Sequence, residues 1–168
     1  MVTNERKDIT YTLSKMVARR LSSRTPYWAD EVYCEPTISR NLAKRVDFMA
    51  FYPNWRTDSG VMATSKGIFE FYEIKSCMDD FNSGNGLNFE GDDNYLVCPK
   101  ELAVELYETQ QIPRYCKVLC PNKSFTRLTI TFETGNHQTF NPRKRSTEEL
   151  LFCLLMRITN RNEFKEIE

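Results

Sequence analysis

Two short apolar runs constrain this chain most: RVDFMAFY at residues 45–52 and FEFYEIKS at residues 69–76. Both are rich in aromatic and branched side chains, which predicts a pair of strands. Side chains alternate across a strand. Arg45, Asp47, Met49 and Phe51 therefore share one face of the first run, and Phe69, Phe71, Glu73 and Lys75 share one face of the second. Antiparallel pairing about a turn near Ser59-Gly60 opposes residues whose numbers sum to about 120–122. Met49 then faces Phe71 or Glu73, and Phe51 faces Phe69 or Phe71. The apolar members meet near the turn, while Asp47, Glu73 and Lys75 gather at the open end.

Two carboxylates side by side repel unless a positive charge lies between them. Lys75 can supply that charge, and so can a divalent cation. A hard cation such as Mg²⁺ takes oxygen ligands, commonly one or two carboxylates plus substrate phosphate. Held there, it polarises a phosphate and acidifies a water, and Lys75 can orient that water or stabilise developing charge. The alternative is an Asp–Lys–Glu salt-bridge cluster at a strand end, worth roughly 0–1 kcal/mol. Spacing leaves both readings open.

The rest of the chain predicts one mixed α/β domain over residues 1–168. Ile9, Leu13, Met16, Val17 and Leu21 recur at helical spacing over 8–21. A short strand is expected at Val32–Glu35, ended by Pro36. Residues 53–67 read as a long connection and 78–93 as a polar loop able to lie over the site as a flap. NYLVCP (94–99) reads as a buried strand, with Pro99 opening a helix through residue 111. RYCKVLC (114–120) and LTITFET (128–134) read as strands, the latter at an edge or in a hairpin. Ser146 and Glu149 form a capping box ahead of the helix TEELLFCLLMRIT. Eleven Phe, eight Tyr and two Trp supply a core that needs no disulfide or metal staple.

The pattern Asp47, then Glu73-Ile74-Lys75, resembles the signature of the PD-(D/E)xK nuclease superfamily. The wider stretch is similar to its MmcB-like DNA-repair branch and phage relatives. The matching residues are R-V-D at 45–47, E-I-K-S-C-M-D-D-F at 73–81 and N-F-E-G-D-D-N-Y-L-V-C-P at 88–99. The resemblance covers residues 5–120 and stops short of the C-terminal hairpin and helix at 121–168. It implies a restriction-endonuclease-like core, a mixed central β-sheet flanked by helices. It also implies metal-dependent hydrolysis of DNA in repair, recombination or phage biology. Asp47, Glu73 and the Ile74 carbonyl would hold Mg²⁺ or Mn²⁺, and Lys75 would position or activate the water. A glutamate on the first helix often completes the metal site in such proteins, and Glu5 or Glu35 is the candidate here. Inactive members of the fold imply the alternative, a protein that binds nucleic acid or a protein partner. A homodimer is expected on fold analogy alone.

Net charge is zero, which weighs against a broadly basic nucleic-acid binder. Residues 1–46 carry nine Lys/Arg against five Asp/Glu, while 70–110 carry ten Asp/Glu against two Lys/Arg. This asymmetry means a basic face and an acidic pocket, or two differently solvated surfaces. Arg143, Lys144 and Arg145, with Arg6, Lys7, Arg19 and Arg20, could track a phosphate backbone or simply be solvated. Trp28, Trp55 and Tyr27 could stack on bases, although packing is the plainer role for each. Gly84, Gly86 and Gly91 do not form a phosphate-binding G-x-G-x-x-G. Asp79 and Asp80 are candidates to cap a helix or to support Lys75. The six cysteines include no C-x-x-C pair, and His137 is the one histidine, which weighs against structural zinc. No run approaches membrane-spanning length, so a reducing, cytoplasmic setting without a membrane partner is expected.

Overall fold

The computed structural model describes residues 4–34, 44–134 and 143–159. Its centre is a six-stranded mixed sheet in chain order, β1 to β6. Strands β1 (Trp28–Tyr33), β2 (Arg45–Tyr52) and β3 (Ile68–Ile74) form an antiparallel meander. From β3 the sheet turns parallel through β4 (Asp93–Val97) and β5 (Cys116–Pro121), and β6 (Leu128–Glu133) returns antiparallel along the edge. Parallel neighbours require crossovers. The short helix α3 (Met78–Asn82) and its loop supply one, and α4 (Lys100–Glu108) supplies the next.

Helices cover both faces, which lets the central strands be largely apolar, with Glu70, Glu73 and Asn94 as buried exceptions. Helix α1 (Asn4–Ser22) lays Leu13, Met16, Val17 and Leu21 on Phe48, Ala50, Tyr72, Ile74 and Tyr95. On the opposite face, α5 (Thr147–Thr159) sets Leu150, Cys153 and Leu154 against Met49, Phe51, Phe69 and Phe71. Beside it, Leu102, Ala103 and Leu106 of α4 pack on Leu96, Cys116 and Val118. The capping box forms: the Ser146 amide donates to Glu149 at 3.3 Å, and the Glu149 amide donates to the Ser146 hydroxyl at 3.2 Å.

Met49 lies opposite Phe71 and Phe51 opposite Phe69, the register expected from residue numbers. The connection is not a tight turn, however. It contains α2 (Gly60–Ser65), too short to show helical periodicity, with Gly60 at φ +55°. Other boundaries also differ from expectation. Strand β1 starts at Trp28, not Val32, its alternation hidden by Asp30 and by Glu31 at φ +47°. Glu35 and His137 lie outside the described residues. Strand β3 ends at Ile74, so Lys75 follows the strand rather than belonging to it. Helix α3 occupies the start of the stretch read as loop. Pro99 takes the N-cap position, one residue before α4 proper.

The sequence asymmetry in charge resolves into pairs. Arg24, Lys44 and Arg6 from the basic N-terminal third meet Glu70, Glu90 and Asp80 from the acidic middle, at 2.8, 2.8 and 3.6 Å. The basic run before α5 is likewise engaged within the fold. Arg143 lies 3.2 Å from Asp92 and Arg145 lies 3.4 Å from Glu90, while Lys144 reaches the same Glu90 at 3.7 Å. These side chains tie the 90–92 segment to α5, a role neither expected alternative described. Trp28 packs on Phe48 with ring centroids 6.0 Å apart.

Candidate functional site

At the carboxyl end of β3 the sheet changes from antiparallel to parallel, the kind of place where open α/β sheets form a crevice. A cleft of about 950 Å³ lies there, and Asp47 and Lys75 both line it. Asp47 sits near the start of β2, one alternation beyond the Met49–Phe71 pair, so it heads toward Glu73 across the ladder. Its Oδ2 accepts the Ile74 amide at 2.8 Å, and its Oδ1 is 3.6 Å from Arg45. Burial pushes the Asp47 carboxyl up, against the Ile74 hydrogen bond and the Arg45 charge.

Glu73 is fully buried. Its Oε1 accepts the Asn88 amide at 3.2 Å, while Oε2 has no hydrogen-bond partner among the described residues. Burial first, and then the charge of Asp47, push this carboxyl up to about 10. At neutral pH it is therefore a protonated acid in the ion-free protein. Lys75 is 4% exposed and donates to the backbone carbonyls of Asp80, at 3.3 Å, and Asn85. Its ammonium is 3.9 Å from the Asp80 carboxylate. Asp80 also accepts the Ser76 amide and hydroxyl at 3.0 and 3.1 Å. It thus both closes the N-terminus of α3 and holds Lys75 in place; Asp79 does neither among these contacts.

The three residues singled out by spacing are brought to one strand end, but not as a mutual salt bridge. Among the described residues, the ion pair of Lys75 is with Asp80. Glu73 does not line the cleft. It lies behind the segment Gly86–Asn88, where a Cβ on Gly86 would stand 2.9 Å from Glu73 Oε2 and 4.0 Å from Lys75 Nζ. Gly86 has φ +70°, a conformation glycine adopts without strain. The stretch read as a flap thus covers the acid directly, and the Asn88 amide contact had no signal in the sequence. Other residues lining the cleft include Arg6, Lys7 and Tyr11 of α1, Tyr33 at the end of β1, Lys44 just before β2 and Arg45 at its start. The sequence marks Arg6 and Lys7 as candidate phosphate contacts, while the two tyrosines carry no such signal.

The donors suit a hard divalent cation in type. Two carboxyl groups lie at one strand end, and among the described residues one oxygen of Glu73 has no hydrogen-bond partner. No group of three or more His, Cys, Asp or Glu is placed to hold a metal ion among the described residues. A Mg²⁺ ion held by two carboxyl groups would need substrate and water for its remaining ligands. Glu5 lies in α1.

No protein-family model matches the chain, and no curated protein matches it. Among solved structures, the chain is similar to the SPO1766 protein of unknown function from Silicibacter pomeroyi. The TM-score is 0.56 at 19% identity, over 91% of this chain and 88% of that one. The likeness carries the α/β fold, a mixed sheet flanked by helices. Its coverage necessarily extends into the segment after residue 120.

Proposed function

We propose that this protein is a divalent-metal-dependent nuclease of restriction-endonuclease-like fold that hydrolyses DNA, in repair, recombination or phage biology. The observation that carries the reading is Glu73: a fully buried carboxyl with one oxygen unpartnered among the described residues, within the electrostatic reach of Asp47 and Lys75. Buried polar atoms are nearly always hydrogen-bonded, so this orphan needs an explanation other than stability. A carboxyl perturbed by burial and a specific charged neighbour beside a cleft is a functional-site candidate.

Asp47 and Glu73, with the Ile74 carbonyl, would hold Mg²⁺ or Mn²⁺. The ion would supply charge neutralisation at the scissile phosphate and a more acidic water. Asp47 already fixes the end of β3 through the Ile74 amide, so both carboxyls share one rigid frame. The Asp80 and Asn85 carbonyls aim the Lys75 ammonium, leaving it to donate to an attacking water or to the developing charge. The six unpaired cysteines, five of them buried, fit a reducing cytoplasm.

The segment over Glu73 favours a second reading, a nuclease-like fold that binds nucleic acid or a protein partner without cutting. A cleavage assay separates the two. Labelled single-stranded, duplex and branched DNA would be incubated with the protein in Mg²⁺, Mn²⁺ or EDTA, with Asp47→Ala as control. The expected result is metal-dependent cutting that the variant loses by at least about a hundredfold, the scale of one removed electrostatic group. Intact substrate under every metal condition selects the binding-only reading.

A further inference from the structure

We propose that the cleft takes single-stranded DNA in preference to duplex, stacking bases on Tyr11 and Tyr33. The inference rests on the nuclease reading for its polyanion but not on catalysis. Tyr11 is 61% exposed and Tyr33 is 53% exposed, and both line the cleft. Neither belongs to a core cluster. The Lys15 ammonium lies 4.3 Å from the Tyr11 ring centroid, stiffening that ring and adding positive charge beside it. Base faces are hidden inside a duplex and open in a single strand, where aromatic side chains bind them with little regard to sequence.

Charge alone does not explain a strong duplex binder here. Lys44, Arg45 and Arg6 line the cleft, but each already has an acidic partner, at 2.8, 3.2 and 3.6 Å. Lys7 is exposed on the same wall. Asp47 and Asp80 offset part of the total. Among the described residues, one or two net phosphate contacts remain, so the salt dependence should be shallow, with a slope near −1 for a single strand. The rings must then supply much of the affinity.

The test is fluorescence anisotropy in EDTA, with labelled oligothymidylate against a duplex of equal length. The single strand is expected to bind at least about tenfold tighter. Tyr11→Ala and Tyr33→Ala should each weaken single-strand binding by about 5- to 150-fold, whereas Tyr11→Phe and Tyr33→Phe keep it within about twofold. Lys7→Gln should reduce the salt slope by about 0.7. Equal affinity for duplex, or a Tyr33→Ala variant that binds the single strand like wild type, overturns the inference. Tyrosine-dependent binding without cutting in metal would reject the hydrolytic reading and keep this one. Metal-dependent cutting of duplex with no single-strand preference would do the reverse.

Discussion

Replacing Glu73 by glutamine is expected to stabilise the protein in EDTA while removing the proposed metal-dependent cleavage. Glutamine mimics the shape of the protonated acid and removes the option of ionising in a site with no solvent exposure. The sign follows from linkage. The folded-state carboxyl lies near 10, raised from the ordinary 4.5, so the native state holds its proton longer than the unfolded chain does. Its contribution is fully present below about pH 4.5 and is lost as pH rises toward 10. Each pH unit in that window costs the wild type ~1.4 kcal/mol relative to the variant. Between pH 5 and pH 7 the advantage of Glu73→Gln should grow by on the order of 2 kcal/mol. Urea midpoints of both proteins at the two pH values, in EDTA, check it. A constant difference across pH would show that Glu73 ionises freely in the folded protein. Saturating Mn²⁺ should raise the stability of wild type alone, because a ligand stabilises only the state that binds it.

Breaking the Arg24–Glu70 pair should produce the largest loss of stability. Glu70 sits on the central strand and is only 4% exposed. Arg24 donates to both of its oxygens, at 2.8 and 2.9 Å, and the Tyr72 hydroxyl donates at 2.5 Å. The Tyr95 hydroxyl adds a longer contact of 3.4 Å. Burial and the charge of Glu70 push the Tyr72 hydroxyl up, keeping it a donor. Arg24→Met would strand a carboxylate under α1. Losing one partner of a buried pair costs about 3–5 kcal/mol, and the partial exposure of Arg24 reduces this to about 2–4 kcal/mol. The double change Arg24→Met with Glu70→Leu removes the stranded charge and should recover most of the loss. Chemical denaturation of the single and double variants measures both. A double variant no more stable than Arg24→Met would place the cost elsewhere.

The frame of the site was legible because strand alternation and register are local rules. RVDFMAFY and FEFYEIKS fixed which side chains share a face, and pairing by residue number located Asp47 beside Glu73. The capping box of α5 followed from two residues and their spacing. What stayed hidden depends on contacts distant in sequence or on elements too short to carry a period. Helices α2 and α3 span six and five residues. The cover over Glu73 depends on the backbone path of Gly86–Asn88, which no side-chain pattern encodes. Arg143 and Arg145 read as a solvated run or as phosphate contacts, and neither reading names Asp92 and Glu90, which lie some fifty positions away. Lys75 looked like the partner of two acids; the chain beyond β3 instead turns so that Asp80 and Asn85 receive it.

The proposed cation site needs Asp47 and Glu73 together. Mn²⁺ titration followed by electron paramagnetic resonance, on wild type, Asp47→Asn and Glu73→Gln, tests this. A protein-bound Mn²⁺ signal is expected in wild type and should be lost in both variants while they remain folded. A wild type that binds no Mn²⁺, or variants that bind it equally well, would rule the site out.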